Sequence, residues 1–191
     1  MSKKMSTTTL KIVSMDAAFQ ADKLTLTKNQ RGASWQYGGE SSYFRSTILQ
    51  VARRPTNAPN SSDYSVTLQT RPESREKDEA VFSALNDHVT KTAQSFLVSN
   101  VKHMTGKETL GSFETQRFWN KNSSYPGYVY GRFNPNATPI QMLDREKSTP
   151  GNAVWKSVPE QGLSLLTQES LVIVDFQPSI FYFVNNNTLY P

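Results

Sequence analysis

YFRSTILQVAR at Tyr43–Arg53 and YSVTLQTR at Tyr64–Arg71 decide the fold. Both runs are rich in β-branched and aromatic residues, which fit a pleated, half-buried surface. The segment linking them, Pro55-Thr56-Asn57-Ala58-Pro59-Asn60-Ser61-Ser62, is dense in turn formers. Together they predict a long antiparallel hairpin whose tip loop of about eight residues exceeds the usual two to five. In the second arm Tyr64, Val66 and Leu68 share one side, and Ser65, Thr67, Gln69 and Arg71 share the other. The first side packs; the second is polar or basic and carries no acid.

Upstream, Thr9–Met15 (TLKIVSM) and Lys23–Lys28 (KLTLTK) read as strands by their alternation, and Ala33–Tyr37 as a short strand bounded by glycines. Downstream the period changes. After the charged stretch Pro72–Glu79, apolar residues recur at Val81, Phe82, Leu85, Val89, Ala93, Phe96, Leu97, Val101 and Met104. That spacing draws one stripe along a helix. Asp78 and Glu79 at its start, and Lys102 and His103 near its end before Gly106, suit the helix dipole. The remainder is less regular. Tyr125–Asn134 is aromatic and broken by glycine, and Asn134–Gly151 is a proline-bearing loop. Ser170–Val184 reads as two buried strands around Gln177-Pro178-Ser179, and Asn185–Pro191 as a polar tail. The expected class is α+β in a single domain: antiparallel sheet over 1–75, helix over 78–104, and a C-terminal extension over 105–191.

Hydrophobic residues form only 36% of the 191, yet aromatics reach 11%. A lean but aromatic composition fits a core shared with a partner better than it fits disorder. The long helix is therefore expected to pack in a homodimer. Net charge is +5, distributed unevenly. Residues 1–75 hold eleven Lys/Arg against five Asp/Glu, and residues 76–191 hold ten against eleven. A localised positive surface is the electrostatic footprint of a polyanion, because each neutralised phosphate releases counterions.

The usual chemistry of active sites is missing. There is no cysteine, and the two histidines, His88 and His103, fit no short metal-ligand spacing. No G-x-S-x-G turn occurs. Thr105-Gly106-Lys107-Glu108 resembles the end of a phosphate-binding loop, but Val101 replaces the upstream glycine and Glu108 the magnesium-binding hydroxyl. The carboxylate pairs Asp78/Glu79 and Asp144/Glu146 sit among basic residues and read as solvated surface. Sequons at Asn60, Asn122, Asn136 and Asn186 read as Asn-rich loops. The reading is of a protein that is no enzyme, with no metal, cofactor or small-molecule substrate. No apolar run approaches the roughly 18 residues of a membrane span. The polar start with Lys3 and Lys4 lacks the apolar core of a secretory signal, so a soluble protein is expected.

Taken in order, TLKIVSM, KLTLTKNQRG, ASWQYGG, YFRSTILQVARR and DYSVTLQTRPE resemble the coat proteins of leviviruses, the single-stranded RNA bacteriophages. The resemblance implies an N-terminal hairpin, a short strand and a long central hairpin. It also implies an interlocked homodimer that self-assembles into an icosahedral shell. The sheet would line that shell, bind single-stranded genomic RNA, and place the protein in the virion after synthesis in the host cytoplasm. Carried onto this chain, the RNA-binding positions on the second arm are Ser65, Thr67, Gln69 and Arg71. On the first arm, Arg45 and Thr47 compete with Ser46 and Gln50 for the same face; Arg45 and Thr47 are favoured. Arg53 and Arg54 near the tip would hold phosphates, and Tyr43 would stack on a base. One departure stands out: the family places two more strands before its helices, whereas here the helical pattern begins directly after Glu73.

Two further classes fit the same residues. A phage tail, decoration or pilus-like subunit would assemble without RNA, using aromatic strands near the C-terminus as its edge. A monomeric single-strand RNA module would use the sheet aromatics as a stacking platform and form no shell.

Overall fold

The structure, a computed structural model, describes residues 11–191 apart from 17, 31, 58, 60, 122–123, 136–139, 145 and 159. Thr9 and Leu10 of the first predicted strand, and three of the four sequon asparagines, lie outside the described residues. Before the helix come β1 (Lys11–Ser14), β2 (Leu24–Asn29), β3 (Gly32–Tyr37), β4 (Ser42–Arg45), β5 (Leu49–Asn57) and β6 (Tyr64–Thr70). The helix α1 (Arg75–Ser99) continues in a short α2 (Val101–Thr105). Then follow β7 (Glu114–Thr115), β8 (Trp119–Asn120), β9 (Tyr128–Phe133), β10 (Ile140–Leu143) and β11 (Trp155–Val158). The last strands are β12 (Leu171–Val172), β13 (Asp175–Phe176), β14 (Phe181–Phe183) and β15 (Thr188–Tyr190). The class is α+β, with antiparallel sheets and one long helix.

Two compact units share the chain. The first takes the described residues up to Ile48, with Pro72–Asn120 and Ile173–Pro191; the second takes Leu49–Arg71 and Lys121–Val172. In the first unit α1 packs against β2. Its stripe behaves as the periodicity demands: Phe82, Leu85, Val89, Ala93 and Leu97 are each at most 2% exposed. Phe82 stacks on Trp119 with ring centres 4.6 Å apart. These five of the nine stripe residues are covered within one chain, while Val81, Phe96, Val101 and Met104 are half-buried. Each histidine pins the helical segment to the hairpin. His88 Nε2 lies 2.8 Å from the Leu24 carbonyl, and His103 Nε2 lies 2.7 Å from the Gly32 carbonyl. A carbonyl can only accept, so these contacts place a proton on Nε2 of both rings.

The N-terminal hairpin lies one element later than the sequence order implied. β2 pairs with β3, not with the opening strand. β1 instead runs parallel to β4, whose other side carries β13 antiparallel. β2 and β3 stay in register from Leu24 opposite Tyr37 to Asn29 opposite Gly32, so a tight hairpin joins them, whereas β1 is followed by a 3-10 turn at Ala21–Lys23 that redirects the chain. The helix also departs from its expected single run to 104. Asn100 Nδ2 donates 2.8 Å to the Phe96 carbonyl, and the backbone there leaves helical geometry (φ −135°, ψ 35°). Gly106 then caps α2 at φ 72°. The expected polar tail is partly a strand: β15 pairs with β14 and β7, and Leu189 is fully buried while Thr188 is 5% exposed. The presumed buried pair over 170–184 divides into three short strands in three sheets, with Phe181 and Phe183 more than half exposed.

Two carboxylate assignments also change. Asp78 and Glu79 are buried rather than solvated, with Asp78 taking the Ser74 hydroxyl at 2.5 Å. Asp144 is 8% exposed and accepts the backbone N–H groups of Glu146 and Lys147, so it shapes a turn. Among the described residues no group of three His, Asp or Glu could hold a metal, and no helix is long and apolar enough to cross a membrane.

Candidate nucleic-acid interface

The long hairpin forms, and it builds the sheet of the second unit. β5 and β6 pair antiparallel over Leu49–Asn57 and Tyr64–Thr70, with six connecting residues in place of about eight. The first arm is extended at its tip by two register shifts, between Val51 and Arg53 and between Arg53 and Thr56. Pro55 falls in the second shift, where a residue without an N–H interrupts no ladder bond. β12 pairs with the outer edge of β5, and β9 pairs with β6.

Residues directly opposite each other across antiparallel strands point to the same face. Gln50, Gln69 and Tyr128 therefore form one row; Arg53, Thr67 and Tyr130 a second; Thr56, Ser65 and Arg132 a third. Nine side chains stand in three rows on three strands, and none is a carboxylate. Gln69 Nε2 donates to Gln50 Oε1 at 3.0 Å, which ties the first row together. Tyr128 and Tyr130 meet edge to face with centres 5.3 Å apart, and Tyr130 remains 62% exposed. Partial burial, and then the neighbouring Tyr130, hold the Tyr128 phenol above its ordinary pKa, while Arg53 pulls it the other way. Arg53 stands in the same row as Tyr130, on the far side of Thr67.

The reverse face is the packing side. Val51, Leu68 and Val129 align on it, as do Val66 and Gly131, and Tyr64 stacks on Phe133 at 5.9 Å. A Cβ on Gly131 would stand 3.3 Å from Val66 Cγ1, so a larger residue there would crowd the strand contact.

The sequence-derived positions separate into two groups. Arg53, Ser65, Thr67 and Gln69 lie together on the ladder face, with Gln50 beside them. Arg54 is exposed in the second register shift, and Arg71 follows β6, half-buried and already engaged in a contact. Arg45 and Thr47 do not join them, because the run Tyr43–Arg53 breaks between β4 and β5. Arg45 belongs to β4 and forms a two-pronged ion pair with Asp175 of β13, both contacts at 2.7 Å. Its charge is already met, and the hydrogen bond to Asp175 raises its pKa further. Thr47 lies in the connection with its hydroxyl buried. Ser46, the competing choice, is also structural: its hydroxyl accepts the Val174 N–H at 3.0 Å. Tyr43 stands on β4, paired with Ile12.

Tyr128, Tyr130, Arg132 and Thr56 were not singled out from sequence. The signal for three of them was present in YVYGRF, where Tyr128, Tyr130 and Arg132 alternate with Val129, Gly131 and Phe133. Thr56 falls in the segment Pro55–Ser62, whose turn formers mask its strand position. No family model, curated protein or solved structure matches the chain.

Proposed function

We propose that this chain is a non-enzymatic coat protein of the levivirus kind. It dimerises, assembles into a shell and lays single-stranded genomic RNA across the β12–β5–β6–β9 face. The observation that carries the reading is the carboxylate-free ladder of Gln50, Arg53, Thr56, Ser65, Thr67, Gln69, Tyr128, Tyr130 and Arg132. Each group has a role suited to RNA. Arg53 and Arg132 would neutralise phosphates and position the strand; the tyrosine rings would stack on unpaired bases; the amides and hydroxyls would bond base edges and 2′-hydroxyls.

Electron microscopy of the protein expressed alone, with the 260/280 nm absorbance ratio and nuclease protection, tests the reading. Uniform shells holding protected RNA are expected. In Arg53→Ala/Arg132→Ala the shells should retain their form and hold clearly less RNA. RNA-free protein in every buffer would refute coat function. A second reading has its own observation: β14 is an edge strand exposing Phe181 and Phe183, suited to pairing with a neighbouring subunit. Filaments or rings without RNA would establish that tail- or pilus-like role instead.

A further inference from the structure

A second surface, on the first unit, has the chemistry of a phosphate track. Two adjoining hollows of about 570 and 370 Å³ run along α1 and α2 beside β2, and they share Ser99 and Asn100. Lys28, Lys91 and Lys102 line them with the hydroxyls of Thr92, Ser95 and Ser99; no lining residue is a carboxylate. Lys102 is held by Glu108 at 2.6 Å. Among the described residues neither Lys28 nor Lys91 forms an ion pair, although Asp87 is one helical turn before Lys91. Both lysines are exposed, as are Ser95 and Ser99. The histidines that border the track spend Nε2 on backbone carbonyls, so they fix its walls.

We infer that this groove binds the phosphodiester backbone of single-stranded RNA, as a site separate from the ladder face. The inference rests on the reading that the chain meets RNA, and it adds where a second stretch of the strand is held. Charge complementarity selects the occupant: the ammonium groups of Lys28 and Lys91 stand among hydroxyl donors, and no carboxylate lines the groove. The shape favours a polymer over a small anion. From His88 to Ser99 the helix rises about 16 Å, and exposed walls suit a strand passing through rather than an enclosed ligand. Half-buried Phe96 on the floor offers an apolar surface to a sugar or base. Because lysine acts as a point charge, binding here would be indifferent to sequence.

The test measures the affinity of the full chain for a labelled poly-uridine strand as a function of salt. Wild type is compared with Lys28→Ala/Lys91→Ala and with a charge-matched control, Arg75→Ala/Lys77→Ala, at the start of α1 about 20 Å along the helix from Lys91. Each single-strand phosphate contact contributes about 0.7 to the slope of log K against log salt. Losing two contacts should lower the slope by about 1.4 and weaken binding about 25-fold near 0.1 M salt. The control should change the slope little, because distant charges are screened beyond about 10 Å. If the two double variants coincide, or if the groove variant alters only particle assembly, the groove assignment is overturned while RNA binding stands. If wild type shows no salt-dependent binding, the RNA reading itself fails and the groove falls with it.

Discussion

Tyr130→Ala isolates base stacking from folding. The ring is 62% exposed, and its described aromatic contact is the edge of Tyr128 at 5.3 Å. Removing so exposed a side chain should cost the fold about 0.5 kcal/mol, with a similar share from the lost aromatic pair. A base stacked on the same ring is worth about 1–3 kcal/mol. The variant should therefore bind single-stranded RNA roughly 5- to 150-fold more weakly while melting within a few degrees of wild type. Fluorescence anisotropy with a short labelled strand at fixed salt gives the affinity, and a thermal melt followed by circular dichroism gives the fold. Tyr130→Phe retains the stacking surface and should bind nearly as wild type. Phe183→Ala, on a comparably exposed aromatic of β14 (53%), should leave affinity unchanged. If Tyr130→Ala binds within about twofold of wild type, the ladder face is not where bases stack and the reasoning fails.

Three further outcomes are expected. Arg45→Ala breaks the pair with Asp175, whose side chains are 47% and 36% exposed; the loss should be about 0.5–1 kcal/mol, seen as a slightly lower melting temperature. RNA affinity should stay the same, and a tenfold fall would return Arg45 to the interface. Tyr128, held above its ordinary value by burial and Tyr130, stabilises the fold fully below pH about 10 and loses that contribution as pH rises through its raised pKa. Ultraviolet titration should show one phenol ionising late, and later still in Arg53→Ala; an earlier transition in that variant would contradict the lowering influence of the Arg53 charge. Leu85→Pro, at a residue 2% exposed in the helix interior, should cost about 3 kcal/mol or more and abolish particles; intact particles by microscopy would show that assembly does not need α1.

The parts of the fold legible in sequence are those whose signal is local. The stripe from Phe82 to Leu97 announces a helix because five positions must meet one surface, and they do. The β5–β6 hairpin is legible because Tyr64–Gln69 alternates apolar and polar residues. What failed is partner choice, which no local pattern specifies. Lys11–Ser14 and Leu24–Asn29 both look like strands, yet only the second pairs with its neighbour in sequence. The break at 46–48 was equally hidden, since Ser46, Thr47 and Ile48 suit a strand. It is set by distant bonds, from Ser46 to Val174 and from Arg45 to Asp175, that join residues about 130 apart.

The candidate interface shows the same division, and it changes the meaning of the charge count. The excess of basic residues before position 76 argues for a polyanion partner, but the structure spends that excess in different places. Lys11 faces Glu40 at 3.1 Å, Arg45 faces Asp175, and Lys28 turns to the groove beside α1. Of the arginines, Arg53 alone of those before 76 stands in the three-row ladder, and its counterpart Arg132 comes from the half of the chain with net charge −1. The face is basic because acids are excluded from nine positions, not because cations are concentrated there. Exclusion of that kind leaves no trace in a running charge sum. It becomes visible once β9, which follows the helix in sequence, is laid beside β6 and the alternations of YSVTLQT and YVYGRF are read across the strands together.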